Sequence, residues 1–246
     1  MFFSTRPRPD GTVSYFFGCS GKGKAIAVDV VKGDETWFLE EARQREVSIT
    51  CVVDTHLHAD HYTGGPTLAA LSSAEYAIHA SSPIEFAARR LRDGEVLEIG
   101  NVTAQVLHTP GHTLDSICLL VSDRRRSAEP WFVITGDTLF VGAVGRPDLA
   151  GREREMAGML FDSLRQKLLS LPAHLEIHPG HMAGSVCGAG LSGKPVSTLG
   201  FECRFSPALV KATAGDREGF VELVTEELPP QPAEMARIVD ANKRAA

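Results

Sequence analysis

Four potential metal ligands stand within six residues in His56-Leu57-His58-Ala59-Asp60-His61, a density that few folds can accommodate. The spacing is His-x-His-x-Asp-His, and an apolar run, Ile49-Thr50-Cys51-Val52-Val53, leads into it. A strand or a tight extended loop presents alternate residues to one side, so His56, His58 and Asp60 are expected to converge on one point. His61, directly after Asp60, faces another. That arrangement suits one or two metal ions better than a single four-ligand cage. A solvated polar loop accounts for an Asp but gives no reason for three imidazoles.

The chain around this run alternates strand and helix signals. Residues 12–18 and 25–31 read as strands joined at Gly21-Lys22-Gly23, a hairpin-type turn. Asp34 stands at an N-cap position before a helix through about Glu46 that carries Trp37, Phe38 and Ala42. Pro66 is expected in the first turn of a helix through about Leu71. A strand over Tyr76 to His79, a helix over Pro83 to Leu91, and strands around Val96-Leu97 and over Val102 to Leu107 come next. Strands at 116–121 and 131–135 flank a polar stretch, Asp123 to Pro130, that reads as a solvated hairpin tip. Met156, Met159, Leu160, Leu164 and Leu168 recur at helical spacing and mark residues 153–169 as a helix with a core stripe. A Leu175-Glu176-Ile177 strand, a Phe201–Phe205 segment and a helix over Arg217 to Glu227 follow, then a break at Pro229-Pro230 and a last short helix. No linker or fixed-period repeat divides the chain, so residues 1–246 are expected to form one α/β domain.

Composition bounds the function. With 43% hydrophobic and 23% charged residues the chain is ordinary globular material. A net charge of −6 argues against a general nucleic-acid binder. No apolar stretch reaches the roughly 18 residues of a membrane span, and Met1 to Pro7 holds no secretory signal, so a cytoplasmic location is expected. Five Cys without a C-x-x-C pair (Cys19, Cys51, Cys118, Cys187 and Cys203) fit a reducing compartment. Cys51 and Cys118 lie in apolar runs and read as small core residues.

Three further candidates follow strands as the first run does: His112 after Pro110-Gly111, Asp137 after Gly136, and His181 after Pro179-Gly180. A Gly before the ligand gives a tight turn at a rigid strand end. The inventory is then His56, His58, Asp60, His61, His112, Asp137 and His181, with no thiolate. Nitrogen and oxygen donors of this kind suit Zn, Fe, Mn or Ni. Of the other imidazoles, His79 and His108 read as satisfied strand residues, and His174 and His178 as surface or loop residues.

Taken in order, His56-x-His58-x-Asp60-His61, Pro110-Gly111-His112-Thr113, Gly136-Asp137-Thr138 and Pro179-Gly180-His181 resemble the metallo-β-lactamase superfamily. The resemblance implies an αββα sandwich, two mixed β-sheets flanked by helices, with the metal site at the edge between the sheets. Within it, Gly145-Arg146-Pro147-Asp148-Leu149 and the segment from Gly180 to Gly188 resemble the persulfide dioxygenase branch, as does Ser197 to Glu202. That branch oxidises glutathione persulfide with O2 to sulfite and the thiol. Many bacterial relatives carry a rhodanese domain after this one; none is expected here, so any rhodanese partner would be a separate protein.

The dioxygenase resemblance implies one Fe(II) per chain held by His56, His112 and Asp137, a two-His, one-carboxylate triad with open positions. His58, Asp60, His61 and His181 would form an outer shell or a second site. The chain also resembles glyoxalase II, a metal-dependent thioester hydrolase, through its intact Asp60-His61 pair. That resemblance implies a binuclear Zn or Mn site: His56, His58 and His112 on one ion, Asp60, His61 and His181 on the other, and Asp137 bridging. A metal-bound hydroxide would then attack the thioester. The Gly145–Leu149 segment favours the dioxygenase.

Either substrate carries the carboxylates of glutathione, for which Arg is the suited partner. Arg146 is the first expected binder, Arg204 and Lys194 weaker ones, and Cys187 a thiol that could meet the substrate. A purely structural zinc site is disfavoured, since such sites are closed and often thiolate-rich. A true β-lactamase is disfavoured by the lack of a signal peptide. The sequence leaves oligomeric state open, a homo-oligomer included.

Overall fold

Apolar runs without polar alternation, such as Val13–Cys19 and Phe132–Gly136, belong in strands covered on both faces, and both are buried throughout. The structure is a computed structural model that describes every residue except Ala189, Glu227, Pro229 and Ala246. Its first sheet follows chain order through β1 (Phe2–Pro7), β2 (Val13–Cys19), β3 (Lys24–Val28), β4 (Ser48–Val53), β5 (Glu75–His79) and β6 (Arg89–Leu91). The second holds β7 (Val96–Ile99), β8 (Val102–His108), β9 (Ile117–Asp123), β10 (Phe132–Gly136), β11 (Glu176–Pro179) and β12 (Ser197–Thr198). Both sheets are mixed: β3 to β6 pair in parallel and so do β10 and β11, while the other pairings are antiparallel.

Seven helices are described: α1 (Glu35–Gln44), α2 (Gly65–Ser72), α3 (Glu153–Ser163), α4 (Leu199–Phe205), α5 (Pro207–Ala214), α6 (Arg217–Thr225) and α7 (Met235–Lys243). Alternation along each strand sorts its side chains into layers. Tyr15 and Phe17 of β2 face Val106, Leu119 and Ile134 across the inter-sheet core. Phe16 between them turns outward to Phe38 and Leu68 of α1 and α2. On the far side Leu107, Cys118, Val133 and Ile177 meet Leu160, Leu209 and Phe220 of α3, α5 and α6. The result is the αββα sandwich. No helix among the described residues is long and apolar enough to cross a membrane.

Several expectations are corrected. The helix expected over Pro83 to Leu91 does not form; Arg89–Leu91 is strand β6, paired with β5. Backbone groups of this segment find partners elsewhere. Arg90 donates to the carbonyls of Ser82 and Ile84, and Glu85 N donates to Lys243 O of α7 at 2.8 Å. Strand β1 and helix α5 had no counterpart in the sequence reading. Asp34 does precede α1, but its carboxylate accepts from Arg6 and Arg8 instead of capping the helix. The helix over 153–169 is realised as α3 continued by a looser π-type turn through Leu168. His178 is not a surface residue: it lies in β11, buried against Phe3, Tyr15 and Phe132. His79 and His108 stack at 3.9 Å between ring centroids. Glu227 and Pro229, at the expected end of the helix from Arg217 and in the break after it, lie outside the described residues.

Candidate metal centre

The seven expected ligands collect at the C-terminal ends of four strands drawn from both sheets. His56, His58, Asp60 and His61 follow β4, His112 follows β8, Asp137 follows β10, and His181 follows β11. Loops at strand ends can present polar groups without disturbing the core beneath them. Each of the seven side chains is at most 7% exposed.

Two glycines make the convergence possible. Gly136 adopts φ +48°, which turns the chain sharply before Asp137. Gly180 serves by lacking a side chain, since a Cβ there would stand 2.6 Å from Asp137 Oδ1.

Ligand atoms of His56, His112 and Asp137 lie within 4.8 Å of one another. His112 Nε2 is 3.4 Å and His56 Nε2 4.0 Å from Asp137 Oδ2. His58, Asp60 and His61 form a second such group beside it. This corrects the expectation that His56, His58 and Asp60 share one point. The loop bends repeatedly between Thr55 and His61, so the alternation of an extended chain lapses. The two groups remain neighbours, with the rings of His56 and His58 4.3 Å apart.

Hydrogen bonds behind these side chains assign the ring protons, since a carboxylate or carbonyl oxygen only accepts. Asp29, at the exit of β3, accepts from Thr55 N at 2.7 Å and from Thr55 Oγ1 at 2.9 Å. With its proton spent on Asp29, Thr55 Oγ1 accepts from His56 Nδ1 at 3.0 Å, leaving the His56 Nε2 lone pair inward. His58 Nε2 donates to Asp29 Oδ1 at 3.1 Å, which leaves Nδ1 as its lone-pair atom. His112 Nδ1 donates to the Arg146 carbonyl at 2.9 Å and likewise frees Nε2. His61 Nδ1 donates to Asp60 Oδ2 at 2.9 Å. His181 bridges the groups, with Nδ1 2.8 Å from Asp137 Oδ1 and Nε2 2.8 Å from Asp60 Oδ2.

His56 Nε2, His58 Nδ1, Asp60 Oδ1 and His61 Nε2 are buried without a hydrogen-bond partner. Four orphaned donor atoms in one place are costly in a protein with nothing to bind there. The donor set fits a metal ion. The electrostatics agree: burial pushes the His56 and His58 imidazoles down to about 3 and about 4, keeping them neutral. Burial would raise the Asp137 carboxyl, but His181 and then His112 outweigh it and hold it well below the usual range. Burial opposes a charge on His181, yet Asp137 and Asp60 keep its proton well above the usual imidazole range.

Asp29, Thr55 and Asn242 were not among the expected site residues. Asp29 carried a signal, an acidic residue closing an apolar strand just as Asp54 and Asp137 do. Asn242 carried a weaker one, a polar residue on the Met235–Ile238 face of α7. It is 2% exposed and bonds the backbone of His58, His61 and Thr63.

The expected substrate binders are placed differently from one another. Arg146 is fully buried and closed in a bidentate pair with Asp148, at 2.7 and 2.8 Å. It also donates to the Val186 carbonyl, so its guanidinium presents no surface to a substrate. This corrects the expectation of a glutathione contact: Asp148, two residues on, is the carboxylate that Arg146 meets. Arg204 is exposed over the Phe205 ring, and Lys194 lines a cavity of about 680 Å³ that none of the seven ligands borders. Cys187 is 2% exposed beside Asp60 and His181, and burial pushes its thiol up to about 12.

Residues 7–181 match the model of the metallo-beta-lactamase superfamily. The chain belongs to that superfamily. Its members are metal-dependent enzymes, and two branches appear among its relatives. Over 171 residues it is 32% identical to a hydroxyacylglutathione hydrolase of Polaromonas sp., covering 68% of this chain and 61% of the relative. Over 233 residues it is 25% identical to the mitochondrial persulfide dioxygenase ETHE1 of Bos taurus, covering 95% and 84%. The crystal structure of ETHE1 from Myxococcus xanthus superposes with a TM-score of 0.84 at 30% identity, covering 100% of this chain and 99% of that one. The chain spans about three-fifths of the length of the hydrolases it matches.

Proposed function

We propose that this chain is a non-haem Fe(II) persulfide dioxygenase that converts glutathione persulfide, or a related small persulfide, with O2 and water to sulfite and the thiol. The observation that carries the reading is the separation of the ligands. His56, His112 and Asp137 form a two-His, one-carboxylate set of their own, while His58 is drawn to Asp29 and Asp60 is engaged by His61 and His181. The extent of the match supports it too, since the dioxygenase relatives cover 95% or more of this chain and the first hydrolases 68%.

In this reading His56 Nε2, His112 Nε2 and an Asp137 oxygen would hold the iron. The iron, when bound, would supply the redox chemistry that activates O2 toward the persulfide sulfur. Thr55, with Asp29 behind it, fixes the His56 ring, and the Arg146 carbonyl fixes His112. His181 sits against the Asp137 carboxylate with a proton on hand. The packed walls keep bulk water from the seven side chains.

A second reading, thioester hydrolysis by a binuclear site, is favoured by the orphaned His58 Nδ1, Asp60 Oδ1 and His61 Nε2, which together could hold a second ion. An oxygen electrode and metal analysis on one purified sample separate the two. The dioxygenase gives O2 uptake with glutathione persulfide and about one iron per chain. Faster turnover of S-lactoylglutathione without O2 uptake overturns it in favour of the hydrolase.

A further inference from the structure

Helix α7 separates two cavities that both reach the ligand loop. On one side a cavity of about 230 Å³ is bordered by Asp10, Asp60 and Glu234, and no Lys or Arg lines it. On the other a cavity of about 250 Å³ is bordered by His112, Leu57, Leu114, Leu149, Val239 and Lys243. The first cavity, with three carboxylates and no Lys or Arg, repels an anion, while the second sets Lys243 against the single Asp115, so charge favours the His112 side for an acidic thiol.

Lys243 is the one Lys or Arg on that cavity, and its ammonium has no partner among the described residues. The nearby Glu85 carboxylate is taken by Arg244 at 3.4 Å. Asp115, the acid within the cavity lining, is 2% exposed and accepts from Leu57 N at 3.0 Å. Arg146 is closed against Asp148, and Lys194 borders a different cavity.

The root of the Lys243 side chain is also fixed relative to the ligands. Asn242, its neighbour, donates to the carbonyls of His58 and His61, and the Lys243 carbonyl accepts from Glu85 N. A flexible four-carbon stem on a fixed root can meet a carboxylate anywhere over a small volume.

We propose that Lys243 anchors a carboxylate of the thiol substrate, so that a small anionic thiol lies in the cavity with its sulfur toward His112. The apolar Leu57, Leu114, Leu149 and Val239 flank the methylene and peptide parts between those ends. The proposal deepens the reading above by naming what holds the substrate, and it applies equally to the hydrolase, whose substrate shares the glutathione body.

The test is calorimetric titration of the protein as purified with glutathione and with glutathione diethyl ester, which lacks both carboxylates. Lys243→Ala is expected to raise the Kd for glutathione about fivefold, and Lys243→Glu further. Lys243→Arg should stay within about twofold of the parent, since it keeps the charge. The ester should bind parent and Lys243→Ala alike. Lys243→Gln and a melting curve for each variant separate lost charge from lost fold. Equal glutathione affinity in parent and Lys243→Ala, or no glutathione binding by the parent, overturns the proposal. Oxygen uptake on the same samples tests the other reading: Lys243-dependent binding without O2 uptake would remove the dioxygenase and leave the anchor.

Discussion

The side-chain amide of Asn242 donates to the carbonyls of His58 and His61 at 3.0 and 2.9 Å, and its oxygen accepts from Thr63 N at 3.0 Å. The loop that carries four of the seven ligands is thus held from α7, at the other end of the sequence. Its shape is a tertiary property.

Asn242→Ala removes both donors and the acceptor and strands three buried backbone groups. A loss of roughly 2–4 kcal/mol is expected, read from denaturant melts of the metal-free protein. Metal affinity should fall by about tenfold or more, as for other residues that orient ligands. Asn242→Asp, which keeps the acceptor alone, should weaken metal binding nearly as much. Unchanged affinity in both would show that the loop holds its shape unaided.

Asp137 faces His56, His112 and His181 at once, so either metal arrangement depends on it. Asp137→Ala is expected to leave the protein folded and nearly free of metal by elemental analysis, with activity lost. Metal retained at the parental level would displace Asp137 from the ligand set.

Gly180→Ala places a methyl group 2.6 Å from Asp137 Oδ1, which is buried and bonded to His181. The carboxylate must move, so metal content and turnover should drop together. The cost in stability should be about 1–3 kcal/mol, typical of overpacking. A fully loaded, fully active variant would count against the close approach.

Arg146 and Asp148 give a prediction with a pH sign. Burial pulls the Asp148 carboxyl upward, but hydrogen bonds from Arg146 and Gln231 outweigh it and lower its pKa below the ordinary 3.8. The pair's contribution is therefore fully present above about pH 4 and is lost as pH falls through the lowered value. Asp148→Asn should cost roughly 2–3 kcal/mol at neutral pH. The gap between variant and parent should close in acid, below the ordinary carboxylate range. Because the Arg146 carbonyl orients His112, metal affinity should weaken as well. A gap independent of pH would mean that the charge on Asp148 contributes nothing.

What could be read in advance follows a physical division. The convergence of the candidate ligands carried by short motifs at strand ends, such as Gly136-Asp137 and Gly180-His181, was legible, because a turn and its polar residue are neighbours in sequence. The strand over residues 12–18 was legible, but which of its faces meets the other sheet was not: the structure turns Tyr15 and Phe17 inward and Phe16 outward. The grouping of His56 apart from His58 was not, because it depends on Asp29 and Asn242, which are distant in sequence from the loop they hold. Arg146 shows the same limit: its charge suggested a ligand, and only the fold reveals that Asp148 already occupies it. Pro83 to Leu91 was misread because its backbone is satisfied by Arg90 and by α7, partners that no local pattern encodes.

The ligands come from both layers of the sandwich, four from the loop after β4 and three from the ends of β8, β10 and β11. Neither sheet holds the His56, His112 and Asp137 set by itself. An ion bound by these three would rivet two halves that otherwise meet through oily side chains and a few hydrogen bonds, such as that from Tyr15 Oη to the Pro179 carbonyl, so its arrival should register when the halves have docked. Released into a refolding mixture, a spectroscopic metal such as Co(II) would then act as a clock for closure of the seam, its spectrum changing when His112 and Asp137 join the residues of the β4 loop.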